Sequence, residues 1–232
     1  MVRRLAEVII SSTALILIAP LLAAAAIGIR LSSHGPIIYR ARRVGIHGRV
    51  FSMYKLRTMH IDHGSFGGLI TVNHDPRVFK FGSWLRRLKI DELPQFINII
   101  KGEMSIVGPR PEEPEIIRAH YSLDQYETLN KLPGLASPGS LYNYTYGEQR
   151  VQGDGANEYY AGHLLPVKLA VDIVYVREAS FVYDIRIMMR TIWSIFCKAV
   201  GRTRFPDPPE IKKAVAMGLL PESARPENEY TV

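Results

Sequence analysis

Asp91 and Glu92 stand side by side in the run Leu88-Lys89-Ile90-Asp91-Glu92-Leu93-Pro94-Gln95, with Arg86 and Arg87 just before them and Arg110 further on. An aspartate can attack phosphorus and form an acyl phosphate, provided that the repulsion between two anions is neutralised. A divalent metal and arginines are the usual means. Arg86, Arg87 and Arg110 are in reach along the chain, and Lys55 and Arg57 close a run of β-branched and aromatic residues. The chemistry these residue types allow is therefore attack of a carboxylate on a phosphate.

That chemistry depends on the element that carries the pair. Neighbours on a helix point about 100° apart, so two adjacent carboxylates cannot share a target from mid-helix. Leu93, Phe96, Ile97 and Ile100 fall at i, i+3, i+4 and i+7, which predicts a helix over Glu92–Lys101 with Gly102 as its stop. Asp91 is then the N-cap, Pro94 is tolerated in the first turn, and the free amides and positive dipole end of the helix suit a phosphate. Each signal has a plainer reading as well. Asp-Glu at a helix start is commonly only a cap, Arg86 and Arg87 a solvated face, and Gly108-Pro109-Arg110-Pro111 a structural loop. Asp172, set among Val171, Ile173 and Val174, needs a partner if buried and can be half of a structural salt bridge. His60 and His63, with Asp62 between them, are a weaker metal candidate.

Around the pair, Ile37–Val44 and Val50–Leu56 flank the turn signal Gly45-Ile46-His47-Gly48 and predict a β-hairpin. Met59–Asn73 reads as a loop, Val78–Arg87 as a helix, and Ser105–Pro111 as an extended, proline-stiffened segment. Helices are expected over Glu112–Asn130, over Glu158–Glu178 with a restart at Pro166, and over Phe181–Val200. The last has a thin polar side of Asp184, Arg186, Arg190 and Lys198, which suits a core helix or one lying in a bilayer interface. Pro133–Gly155 is expected to be loop. The tail from Gly201, with Pro206, Pro208, Pro209, Pro221 and Pro226, is expected to add little core.

From Val8 to Ile29 the chain carries no charge, and a helix of that length reaches roughly 33 Å, enough for a hydrocarbon core of about 30 Å. Pro20 removes a donor near the middle and should kink it. Arg3 and Arg4 precede the segment, and Arg30, Arg40, Arg42 and Arg43 follow it, so both flanks favour the same side of the membrane. The residues leave open a spanning helix, a re-entrant helix-break-helix and a cleaved signal peptide. The 232 residues carry a net charge of +7, which fits anionic lipid, a phosphorylated substrate or nucleic acid. A single cysteine, Cys197, rules out an internal disulfide and a thiolate metal cluster, so redox chemistry is not indicated.

Taken in order, several motifs resemble the bacterial sugar transferases called monotopic phosphoglycosyl transferases. They are Gly35-Pro36-Ile37-Ile38-Tyr39-Arg40, Tyr54-Lys55-Leu56-Arg57-Thr58-Met59, Asp75-Pro76-Arg77, Leu85-Arg86, Asp91-Glu92-Leu93-Pro94-Gln95, Asn98, Lys101-Gly102-Glu103-Met104-Ser105, Val107-Gly108-Pro109-Arg110-Pro111, Pro133-Gly134 and Asp172-Ile173-Val174-Tyr175-Val176. The resemblance implies transfer of a phosphosugar from a nucleoside diphosphate sugar, usually a UDP-sugar, to polyprenyl phosphate. It implies Asp91 as nucleophile and Mg2+ ligand, Glu92 as the second member of the dyad, and Arg86, Arg110, Lys55 and Arg57 facing phosphate. Asp172 matches a distal acidic residue. The implied fold is α+β and mostly helical: a re-entrant membrane helix over 1–30 broken at Pro20, a catalytic domain over 31–200 with a small hairpin and interfacial helices, and a tail over 201–232. Membrane lipids and a second copy of the chain are implied partners, nucleic acid is not, and the implied place is the cytoplasmic face of the bacterial inner membrane. The better-known branch has Asn-Gly-Arg after its Pro-Gly motif. Here Leu135–Tyr144 stands in that place, and Arg150 is the candidate for the later arginine. Two other functions use the same features: a non-catalytic membrane-surface scaffold, and a metal-dependent phosphohydrolase with water as acceptor.

Overall fold

The computed structural model describes residues 2–61, 75–147 and 155–221. It is mostly helical, and the long apolar helix α1 (Val2–Ser32) runs along the body. The helix runs as one element across Pro20, which is solvent-exposed and leaves out one amide donor. The residues that α1 buries are Glu7 and Ser11 near one end and Ala25 and Ile29 near the other. Ala25 and Ile29 pack with Leu56, Phe79, Leu85 and Ile90. At the first end Arg3 pairs with Asp184 at 3.0 Å, Glu7 accepts from Ser105, and Arg4 donates to the carbonyls of Ile99 and Ile100. Both ends of α1 are thus fastened to one body.

Strands β1 (Ile38–Val44) and β2 (Val50–Leu56) form the expected antiparallel hairpin, with Ala41 opposite Met53 and Tyr39 opposite Lys55. Alternation puts Met53 and Lys55 on one face. Met53 packs with Ala41, Ile99 and Met104, so the same face carries the lysine toward the next helices. Helix α2 (Lys80–Arg87) leads through a 3-10 turn, Ile90–Glu92, into α3 (Gln95–Lys101), which ends on Gly102 at φ 87°. The buried amide of Asn98 locks α3 to the hairpin: it accepts from Tyr54 N at 3.0 Å and donates to the carbonyl of Ser52 at 2.7 Å. Strand β3 (Ser105–Val107) pairs in parallel with β4 (Gly134–Ala136).

Three expectations are corrected here. Glu112–Asn130 is not one helix. Glu112 and Glu113 stay extended before α4 (Pro114–His120), and Ser122 caps a separate 3-10 segment, Leu123–Asn130, through a capping box with Gln125. The expected loop after Pro133 holds β4, α5 (Pro138–Tyr142) and a π-turn over Asn143–Gly147; Ser137 caps α5 by accepting from Ser140 N at 2.8 Å. Beyond it, α6 (Ala156–Tyr159) passes through a π-turn into α7 (Leu165–Glu178), with Pro166 in the first turn of α7. Helix α8 (Phe181–Ala199) exposes Val182, Ile185, Met189, Ile192, Trp193 and Phe196. The third correction is the tail: α9 (Pro209–Ala216) packs on α7, and Ile211, Ala214 and Leu220 join the largest core cluster. Pro208 and Pro209 start this helix, because a proline in the first turn removes no intrahelical bond.

Candidate active site

The carboxylate pair lies at a corner. Lys89 takes left-handed geometry, φ 56° and ψ 20°, and turns the chain from α2 into the 3-10 turn. The amide of Glu92 then donates to the carbonyl of Lys89 at 3.3 Å. Asp91 is consequently not an N-cap. Helix α3 begins after Pro94, which has no capping side chain, and the pair is displayed by the turn that precedes it. In a turn of about three residues the two side chains diverge by roughly 120°. One target for both is not required, because Glu92 has cationic partners of its own.

Glu92 is buried among cations. Its Oε1 accepts from Lys55 Nζ at 2.9 Å and from Arg110 Nη2 at 2.7 Å, while Oε2 accepts from Arg110 Nη1 at 3.3 Å. Burial acts to raise its pKa, but the charges of Arg110 and Lys55 outweigh this and hold it well below the usual carboxylate range. Asp91 is the opposite case. Burial, and then the charge of Glu92, push its carboxyl up, against Lys55, Lys89 and Arg86. Its Oδ1 is buried and accepts no hydrogen bond from any described residue. A more basic carboxylate with one oxygen unengaged is suited to attack on, or ligation of, an electrophile.

Arg110 is aimed from behind. Asp172, fully buried in α7, accepts from Arg110 N at 3.0 Å and from Gly139 N at 2.8 Å. It fixes the Pro109-Arg110-Pro111 loop against α5, and a Cβ at residue 139 would sit 2.7 Å from Asp172 Oδ2. Burial raises the Asp172 carboxyl to about 6, opposed by these two amide hydrogen bonds. Beside the loop, Glu112 accepts from Lys168 at 2.7 Å and from Tyr160 at 3.0 Å, and Glu113 pairs with Arg43 at 2.7 Å.

These groups line a cavity of 1210 Å³ that also reaches α1 through Ile10 and Ala14. Ten of its residues are lysine or arginine and five are aspartate or glutamate, so it is built for an anion. Arg86, Arg110, Lys55, Asp91 and Glu92 all line it, and Asp172 is not among the lining residues. Arg57 does not. Its guanidinium donates to Ser33 Oγ and O, each at 2.7 Å, and to the carbonyl of Pro36 at 2.6 Å, fastening the end of α1. Burial lowers its pKa, and the residue is structural. Among the described residues no three His, Cys, Asp or Glu side chains gather to hold a metal. His63, Asp62 and Arg150 lie outside the described residues. Mg2+ needs only one or two carboxylates when substrate phosphates supply further oxygens, and the unengaged Oδ1 of Asp91 fits that mode. In the sequence Asn98 enters only as a motif of the resemblance, with no role assigned, and Gly139 is not singled out. Neither carries chemistry, and a buried amide or a close backbone approach gives no periodic signal.

The fold and site define a membrane-associated protein with a buried carboxylate pair set in a predominantly basic cavity. The chain belongs to the bacterial sugar transferase family, whose pattern residues 1–198 match. It is 35% identical over 184 residues to an undecaprenyl-phosphate glucose phosphotransferase of Komagataeibacter xylinus, covering 77% of this chain and 32% of that protein. It is 32% identical over 199 residues to a UDP-N-acetylgalactosamine-undecaprenyl-phosphate N-acetylgalactosaminephosphotransferase of Aeromonas hydrophila, covering 84% of this chain and 43% of the relative. An exopolysaccharide production protein of Rhizobium leguminosarum bv. phaseoli is 30% identical over 210 residues, 86% of this chain and 97% of the relative. The chain thus spans less than half the length of the first two.

Proposed function

We propose that this chain transfers a phosphosugar from a nucleoside diphosphate sugar, with uridine as the base, to polyprenyl phosphate. The observation that carries this reading is the buried Oδ1 of Asp91, without a described hydrogen-bond partner, in a predominantly basic cavity walled partly by the membrane helix. An Asp91 carboxylate oxygen attacks the sugar-bearing phosphorus, the bond to the bridging oxygen breaks, and the nucleoside monophosphate leaves. An oxygen of polyprenyl phosphate then attacks the same phosphorus and expels Asp91, giving polyprenyl diphosphate sugar. Glu92 stays ionised and holds Arg110 and Lys55 where negative charge develops. Arg86 adds its charge from the same cavity wall. Asp91 would hold Mg2+, which supplies charge neutralisation on the donor phosphates.

We place the protein on the cytoplasmic face of the inner membrane, monotopically, with Pro20 at the deepest part of α1. Two facts support this: both ends of α1 bind the same body, and basic residues flank it on both sides. A panel of sugar nucleotides, assayed for nucleoside monophosphate release with and without polyprenyl phosphate, tests the reaction. Repeated turnover that requires the lipid and yields a lipid-linked sugar is expected, with at most one monophosphate released per chain in its absence. Sustained release without lipid would mean hydrolysis, and no release with any donor would leave the scaffold reading.

A further inference from the structure

The cavity is not closed off from the apolar surface. Ile10 on α1 and Ile192 on α8 both line it, yet they are 50% and 60% exposed. Along α8 the cavity wall is formed by Met188, Ile192 and Ile195, at i, i+4 and i+7, by Thr191, whose hydroxyl donates back to the Ile187 carbonyl at 2.8 Å, and then by Lys198 at i+10. One helix face is therefore mainly apolar for two turns and ends in an ammonium group.

The surroundings of that ammonium tie it to the reaction centre. Lys198 Nζ sits 3.9 Å from the ring centroid of Tyr144 and donates to the Tyr144 carbonyl. Lys89 Nζ sits 4.6 Å from the same centroid. The Tyr144 hydroxyl donates to the carbonyl of Arg87 at 2.8 Å, and Arg87 donates to the carbonyl of Lys198 at 3.0 Å. One aromatic ring thus gathers two cations from two elements. Lys89 is two residues from Asp91, and its charge acts on both carboxylates of the pair. It also holds left-handed geometry without being glycine, an uncommon conformation that persists where the surrounding structure fixes it.

We propose that the cavity face of α8 is the track for the lipid acceptor: the prenyl stem lies along Met188, Ile192 and Ile195, and its phosphate is received by Lys198 and Lys89 on the Tyr144 platform. A phosphate monoester on an apolar chain matches an apolar face that ends in an ammonium, whereas a sugar nucleotide has no use for the apolar stretch. The assignment rests on the transfer reaction proposed above, and its two half-reactions separate the possible sources of phosphate.

The test is Lys198→Gln in the full chain, with Lys198→Arg as the conservative control. Nucleoside monophosphate release in the absence of acceptor reads the donor half-reaction; KM for polyprenyl phosphate reads the second. Lys198→Gln is expected to raise the acceptor KM about tenfold or more, a larger factor than any slowing of the donor half-reaction, and Lys198→Arg to restore most of the loss. Ile192→Asn, at an exposed position where folding is not at stake, is expected to raise the KM for a long polyprenyl phosphate more than for a short, water-soluble prenyl phosphate. A donor half-reaction slowed by as large a factor as the acceptor step in Lys198→Gln, or an unchanged acceptor KM, overturns the assignment. A wild-type chain that releases no monophosphate from any donor removes the transfer reaction and this inference together.

Discussion

Replacing Glu92 by glutamine separates the two carboxylates of the pair. In the native site one buried carboxylate answers two cations, Lys55 and Arg110, through three hydrogen bonds. The amide has one acceptor oxygen and no charge, so both cations lose their counterion. Removing one partner of a buried ion pair costs about 3–5 kcal/mol. The side chains of Lys55 and Arg110 keep 18% and 20% exposure, which places the expected loss at the lower end, about 3 kcal/mol. Burial already pulls the Lys55 ammonium down and Glu92 is the main opposing influence, so its pKa falls further in the variant. The more diagnostic effect is on Asp91. Its carboxyl is pushed up first by burial and next by the charge of Glu92; removing that charge lowers its pKa. Since the nucleophile is the ionised form, the acid limb of kcat/KM for the donor follows the Asp91 pKa. In Glu92→Gln the maximal rate falls, yet the acid limb moves to lower pH. Donor half-reaction rates measured across pH on both proteins give the answer. An acid limb that stays in place or moves to higher pH would refute the view that these two charges are coupled.

Asp172 gives a second pH signature. Its folded pKa of about 6 lies above the ordinary value of 3.8, so folding takes up a proton between them. Its contribution is fully present below pH 3.8 and is lost as pH rises through 6, by about 3 kcal/mol. Subtracting the stability curve of Asp172→Asn from that of the wild type should show this decline, and a flat difference contradicts it. Arg110→Lys keeps the charge but loses the two-pronged grip on Glu92, so activity should drop at least about tenfold with little change in fold. Ile211→Ala should cost about 2–5 kcal/mol in thermal unfolding because the residue is buried in the main core; a negligible change would mean that α9 is not docked.

The hairpin was legible because alternation and a glycine turn agree, whereas the dyad, Arg86 and Arg110 stood out only through the ordered motifs of the resemblance, since by residue type alone the pair reads as a cap and Arg86 as a solvated face. The corner that displays the dyad was not legible, since nothing in local propensity announces left-handed Lys89. Arg57 illustrates another limit. It is two residues from Lys55 and of the same charge, but it lies just past the strand, where its stem turns to Ser33 and Pro36. Two misread segments did carry signals: Ser122 with Gln125 is a capping box, and Ser137-Pro138 is an N-cap followed by a first-turn proline. The tail misled because its prolines outweighed Ile211 and Ala214, which fall one turn apart on the buried face of a short helix.

The central claim is that Asp91 becomes covalently bonded to the phosphosugar. Incubation with a UDP-sugar labelled in its sugar-bearing phosphate and with Mg2+, without acceptor, followed by peptide mass spectrometry, tests it directly. Label on the peptide bearing Asp91, with release of up to one nucleoside monophosphate per chain and discharge on adding polyprenyl phosphate, is the predicted result. Turnover by Asp91→Asn at the wild-type rate, or label on another residue, would contradict it.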